Sequence, residues 1–382
     1  MMTRHARAAK FCLIAALVAT LAGCATQESA RPPELAPLRP TQARALISRA
    51  LPPNTADRSG WATDIYVAFS ALDIAVVPEN VCAMVAVTDQ ESNFRADPAV
   101  PGLSGIAWKE IDKQAERVGV PRLAVRAALL LSSPNGQSYM ERLDNVKTEK
   151  QLSDIFDDFI GMVPLGRTFF ADHNPVRTGG PMQVSIAFAE SHAAKKSYPY
   201  PVPGSLRNEV FTRRGGMYFG IAHLLDYPAA YDRHIYRYAD FNAGHYSSRN
   251  AAFQNAVSLA SGIPLALDGD LLRYEQGQPA RDPGSTELAV RVLAKRLDLS
   301  TADIRRDLEL GKTQQFETTR LYTRMFALAE KSSGGAVPRA VLPRILLQSP
   351  KFTRKLTTEW FAQRVDERHK RCMARVSVDQ GQ

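Results

Sequence analysis

The chain has 382 residues, 45% of them hydrophobic, with 48 Lys and Arg against 39 Asp and Glu, a net charge of +9 and a pI near 9.4. That length is ample for one large core or two modest ones. No GxGxxG, GxSxG or HExxH occurs and no zinc-type spacing surrounds the cysteines, which removes the commonest dehydrogenase, esterase and metalloprotease readings; no metal and no organic cofactor is expected.

The N-terminus reads as a leader. Arg4, Arg7 and Lys10 precede a twelve-residue apolar run, Phe11 to Ala22, which is too short to span a bilayer and suits the h-region of a signal peptide. The run ends in LAGC, Leu21 to Cys24, which resembles a bacterial lipobox. The resemblance implies a signal peptide over 1–23, cleavage before Cys24 and lipidation of its thiol. Ala25 is not the Asp that retains lipoproteins at the inner membrane, so the expected place is the outer membrane, facing the periplasm. A basic cytoplasmic chain would suggest nucleic acid. An exported one meets lipid headgroups and wall polymer, so no nucleic-acid partner is expected and the charge reads as surface electrostatics.

Residues 24–58 are rich in Pro, Ala, Thr and Arg and read as a lipid anchor and flexible tether, with at most one short helix at Thr41 to Ala50. From Trp61 onward helix signals dominate. Pro78 stands at a first helical position ahead of an apolar run. WKEIDKQAERVGVPRLAVRAALLL reads as two helices broken near Gly119 and Pro121, and QLSDIFDDFIGMV as another amphipathic piece. Turn chemistry in NPVRTGGPMQVS gives way to an apolar helix, and MYFGIAHLLDYP and NAAFQNAVSLASG are further helices. After a loop-rich segment around residues 265–285, Ser300 and Asp303 make a capping-box variant. No internal repeat and no run of alternating strands appears. The expected fold is mostly α, with a small hairpin at most.

The last helix, around Lys351 to Arg375, carries eight Lys and Arg against three acids. It reads as a solvated face, the sharper alternative being a patch resting on anionic lipid or wall. Once Cys24 is lipidated and the leader removed, Cys82 and Cys372 remain. In an oxidising compartment they are either a disulfide or two separate buried thiols.

One carboxylate stands out. In AVTDQESNF, residues 86 to 94, Glu91 ends an almost wholly apolar helix, on one stripe with Val81, Met84 and Thr88. Desolvation and the negative end of the helix dipole both favour its protonated form, which suits a general acid. The plainer reading is a polar helix end facing water.

ESNF, GGPMQ (Gly179 to Gln183) and DFNAG (Asp240 to Gly244) follow in that order. Together they resemble the three signature motifs of the soluble lytic transglycosylases and goose-type lysozymes. The resemblance implies a lysozyme-like catalytic domain over residues 59–265. The stretch of 89 residues from Glu91 to Gly180 is far longer than the family's usual gap, so 102–172 is expected to be a helical insertion. Residues 266–382 are then a helical C-terminal region.

Carried over residue by residue, Glu91 is the catalytic acid that protonates the glycosidic oxygen between N-acetylmuramic acid and N-acetylglucosamine. Ser92 helps to fix the carboxyl or the sugar. Met182 and Gln183 line the cleft, and Asn242 hydrogen-bonds an acetamido group, with Gly244 letting the backbone approach. Phe241 departs from the family's Tyr, whose hydroxyl contacts the catalytic carboxyl; Tyr238, His245 and Tyr246 are the stand-ins closest in sequence. Asp89 points elsewhere on the same helix. Asp97 is the nearest second carboxylate, and a structural cap is its plainer role. With one candidate acid visible, lytic transglycosylation, which closes a 1,6-anhydro ring, is favoured over two-carboxylate hydrolysis. The expected partners are peptidoglycan strands and, through Cys24, a membrane. The competing expectation is a catalytically weak, wall-binding lipoprotein.

Overall fold

The computed structural model of the protein describes residues 38–275, 277–347 and 355–378; the leader, the lipobox and Cys24 lie outside them. The described chain is mostly helical, with three two-stranded antiparallel ribbons in place of the one small hairpin expected. Among the described residues no helix is long and apolar enough to cross a membrane.

α1 (Pro40–Ala50) buries Ala43, Leu46, Ile47 and Ala50, an i, i+3, i+4, i+7 stripe that packs on α2 (Arg58–Ala71). The folded body therefore includes α1, which lies within the stretch expected to be tether. α3 (Pro78–Glu91) starts with Pro78 in its first turn and buries every residue from Val81 to Thr88. A helix apolar on all sides needs neighbours all round, and α1 and the chain's last helix supply most of them.

The segment expected to be an insertion forms α4 (Leu103–Arg117), α5 (Arg122–Leu129), α6 (Tyr139–Asp144), α7 (Glu149–Gly161) and α8 (Gly166–Phe170). It has a small core of its own around Ala107, Leu129, Tyr139, Leu143 and Ile155, and Leu152 packs against both this core and the main one. β1 (Thr178–Gly179) and β2 (Val184–Ser185) pair with Thr178 opposite Ser185, pinching off the turn at Gly180 to Gln183. α9 (Ile186–Ala193), α10 (Leu206–Val210), α11 (Arg213–Leu225) and α12 (His234–Ala243) complete the main core.

α13 (Ser247–Ser261) opens a second core with α14 (Ser285–Val292), α15 (Ala294–Leu297), α16 (Thr301–Glu309) and α17 (Arg320–Ser333), centred on Phe253, Phe316, Met325 and Phe326. Ser300 caps α16 with Asp303 reciprocating, as its sequence predicts. α18 (Thr358–Val378) does not join this lobe. It returns to the main core, where Phe361, Ala362, Val365, Cys372 and Val376 are buried and Cys372 is disulfide-bonded to Cys82. The C-terminal region from residue 266 is thus contiguous in sequence but divided between two cores. Much of the basic charge of α18 is held locally: Arg364 pairs with Glu367 at 2.9 Å, Arg368 with Asp89 at 3.1 Å and Lys370 with Asp366 at 2.7 Å, while Arg375 donates to the Ala50 carbonyl at 2.8 Å.

Candidate functional site

Glu91 is the last residue of α3 and is half-buried. Just before it, the buried Thr88 donates Oγ1 to the Met84 carbonyl at 3.0 Å, and Ser92 donates Oγ to the Thr88 carbonyl at 3.1 Å. Ser92, expected to fix the carboxyl or a sugar, therefore spends its proton on the helix end. The chain then turns through two left-handed residues, Asn93 (φ 52°) and Phe94 (φ 59°). The Phe94 ring is buried edge-on against Trp61, with centroids 5.2 Å apart, and that packing holds a conformation a bulky residue seldom adopts.

In the second motif Met182 is fully buried, so it does not line a cleft; it is a core side chain that fills the notch left by Gly220 of α11. The half-buried Gln183 is left-handed (φ 51°). Its Nε2 donates to the Gly180 carbonyl at 3.3 Å, and its Oε1 accepts from Thr178 Oγ1 at 3.3 Å.

The third motif is organised by a residue that the sequence reading passed over. Asp240 is fully buried and accepts from the hydroxyls of Tyr227 (3.1 Å) and Tyr231 (2.7 Å) and from the backbone N–H groups of Tyr246 (2.9 Å) and Ser248 (2.7 Å). It joins the end of α12 to the N-terminus of α13, where a carboxylate is favoured by the helix dipole. Phe241 is half-buried, with its ring 5.0 Å from that of His223 and its carbonyl accepting from His223 Nε2 at 3.2 Å. Asn242 is exposed, and its Oδ1 accepts from Thr358 Oγ1 at 3.1 Å. Gly244 ends α12 at φ 104°, a conformation open to glycine.

The three stand-ins for the missing tyrosine hydroxyl are all packed against other groups, and the Tyr238 hydroxyl has no hydrogen-bond partner among the described residues. Tyr246 is buried under the Arg249 guanidinium, 4.2 Å above its ring, and His245 Nε2 donates to the His223 carbonyl at 2.7 Å. Tyr238 is buried on the α18 side, its ring 6.0 Å from that of His369.

GGPMQ and DFNAG are fastened to α11, and so is α3, the helix that ends at Glu91. Thr88 Oγ1 lies 3.9 Å from Met217 Sδ, a Cβ on Gly220 would lie 2.5 Å from Met182 Sδ, and His223 holds the Phe241 carbonyl. Those attachment points fall within about 9 Å along one helix. Of the eight non-glycine residues with positive φ among the described residues, three (Asn93, Phe94 and Gln183) belong to the motif segments and a fourth, Tyr246, lies two positions past the third. Strain of this kind collects at functional sites. The sequence signal for α11 is the pair Gly216 and Gly220, four apart, which marks a close-approach face.

Beside this junction lies a cluster of rings. Phe188 contacts His223 at 4.5 Å and His192 at 5.6 Å, and His245 stacks on His223 at 4.6 Å and on Tyr227 at 3.9 Å. Burial pushes His223 down to about 3, with His245 adding to the effect, and burial likewise lowers His192 and His245. These imidazoles are neutral near pH 7 and do not serve as acids there. His223 Nδ1 has no hydrogen-bond partner among the described residues.

The buried carboxylates are committed. Asp240 has its four donors, Glu209 is held by Arg214 at 2.6 Å and by the Tyr198 hydroxyl at 2.6 Å, and Glu287 by Arg291 at 2.6 Å and Arg305 at 2.9 Å. Asp97 is raised by desolvation against a hydrogen bond from the Thr148 side chain, the cap of α7 in the inserted lobe, in keeping with a structural role. Two surface concavities of about 540 and 840 Å³, on the second lobe, are lined by residues such as Lys295 and Asp298 or Arg281 and Asp282, and by none of the motif residues.

The model of a family described as "Protein of unknown function (DUF1615)" matches residues 54–375. The chain belongs to the DUF1615 family. A relative in Escherichia coli (strain K12), "Uncharacterized protein YaiW", is 56% identical over 361 residues, covering 94% of this chain and 96% of the relative. No solved structure matches. The DUF1615 match spans α2 to most of α18, and so takes in all three motif segments, the inserted lobe and the disulfide.

Proposed function

We propose that the protein is a lipid-anchored lytic transglycosylase with a lysozyme-like catalytic unit, which cleaves the β-1,4 bond between N-acetylmuramic acid and N-acetylglucosamine in peptidoglycan. The observation that carries this reading is the contact of one buried helix, α11, with GGPMQ, with DFNAG and with α3, the helix that ends at Glu91, although these segments are spread over more than 150 positions of sequence. Two of the segments keep left-handed non-glycine backbone, at Asn93, Phe94 and Gln183, a feature that collects at functional sites.

In this reading Glu91 donates its proton to the glycosidic oxygen as the bond to the anomeric carbon breaks. The leaving sugar takes that proton as its new hydroxyl. The acetamido group assists at the anomeric carbon. Glu91, now a carboxylate, removes the proton of the 6-hydroxyl, whose oxygen closes the 1,6-anhydro ring. One carboxyl serves both steps. Gln183 and Asn242 present amides to the substrate's acetamido groups, and the core-buried Met182 holds the turn that carries Gln183. Phe241 favours a second reading, a weakly active glycan binder, because it brings no hydroxyl to the carboxyl.

Mass analysis of what the full chain releases from purified sacculi tests the proposal. Anhydro-muropeptides support it; reducing-end products indicate hydrolysis and make Asp97 the next carboxylate to replace.

A further inference from the structure

Ten of the sixteen exposed large hydrophobic side chains fall in the inserted lobe, in two short runs. The first follows α4: Leu123 is 82% exposed, Leu130 62% and Leu131 55%, and in α5 itself only Leu129 is buried. The second runs from α7 into α8, where Leu165 is 66% exposed and Phe169 65%. It is a built protrusion. Leu165 is held left-handed (φ 61°), and Gly166 is buried so tightly against the Ile160 carbonyl that a side chain there would overlap it.

Neither run contains an acid. From Arg117 to Met140 and from Phe159 to Ala171 every charged side chain is arginine, with acids at the edges of these stretches (Glu116, Glu141, Asp158 and Asp172), and Arg117, Arg122 and Arg167 are exposed. Apolar side chains at this density on a surface mark an interaction site, and apolar bulk with basic residues and no acids is the chemistry that meets anionic headgroups. Thirteen residues lie between Cys24 and Leu38, so an anchor at Cys24 would allow a bilayer within about 50 Å of the folded body.

We propose that the inserted lobe docks on an anionic lipid surface, Leu123, Leu130, Leu165 and Phe169 entering the boundary between headgroups and acyl chains while Arg122 and Arg167 meet the phosphates. The proposal rests on the lipid-anchor reading only for the nearness of a bilayer, and it is independent of glycan cleavage.

The test uses the full chain carrying Cys24→Ser, so that no acyl group contributes, and vesicles of phosphatidylethanolamine with one quarter phosphatidylglycerol. The parent is expected to sediment with these vesicles and not with pure phosphatidylcholine. Leu123→Gln with Leu130→Gln, or Leu165→Gln with Phe169→Ser, is expected to weaken partition at least tenfold with unchanged thermal melting. Phe169→Trp is expected to show fluorescence quenched by brominated lipid. Absence of partition by the parent, or equal partition by parent and both double variants, overturns the proposal. So does a concentration-dependent dimer that these variants abolish without vesicle binding, which would assign the surface to a second copy of the chain. Loss of sacculus cleavage alongside retained partition would overturn the enzyme reading and leave this one standing.

Discussion

Met182 and Gly220 form a knob and notch: the methionine's Sδ and Cβ lie 2.5 and 2.6 Å from where a side chain on Gly220 would begin. A methionine that sequence alone places in a glycan cleft is instead what seats the GGPMQ turn on α11. Gly220→Ala brings a favourable helix propensity of about 1 kcal/mol, but it forces Met182, with its own Cβ in the way, out of a closed core. The expected net effect is a loss of about 1–3 kcal/mol, read from urea denaturation. Gly220→Ala with Met182→Ala is expected to recover part of it.

Reduction of the Cys82–Cys372 bond removes a link across 290 positions of sequence. The expected loss is about 2–4 kcal/mol. Because the bond pins α18 to α3, the same loss is expected of Cys372→Ser, and dithiothreitol should then leave that variant's urea midpoint unchanged.

Burial pushes His223 down to about 3. Below about pH 6.5 the unfolded chain takes up a proton at this position and the folded chain does not, so stability is fully present above that pH and is lost as pH falls from 6.5 toward 3. One such group contributes at most about 1.4 kcal/mol per pH unit across that window. His223→Gln keeps a donor for the Phe241 carbonyl and removes the titration. Urea midpoints at pH 7, 5.5 and 4.5 should fall less steeply in the variant than in the parent. Equal slopes would contradict the assignment.

Ser92 Oγ is occupied by the Thr88 carbonyl. Ser92→Ala should cost about 0.5–1.5 kcal/mol of stability and leave muropeptide release within about threefold of the parent. A hundredfold loss would place the hydroxyl on the substrate.

Much of this arrangement was legible in the sequence, and the gaps have physical causes. The apolar run from Val81 to Thr88 announced a helix buried on every side, with Glu91 at its end. Ser300 with Asp303 showed as a cap. Motifs place residues along the chain but do not orient them, which is why Met182 was assigned to a surface. The return of α18 was hidden because its lysines and arginines dominate the composition, while its buried edge is a sparse stripe of Phe361, Val365, Cys372 and Val376. Asp240 was overlooked because a buried aspartate is recognised by its donors, and two of these are backbone amides that belong to the next helix.

The most direct measurement compares the full chain with its Glu91→Gln variant on purified sacculi, after both are shown to melt at the same temperature. The account predicts 1,6-anhydro-muropeptides from the parent and at least a thousandfold less from the variant. Equal product from both, or sedimentation with sacculi and no product from either, would contradict it.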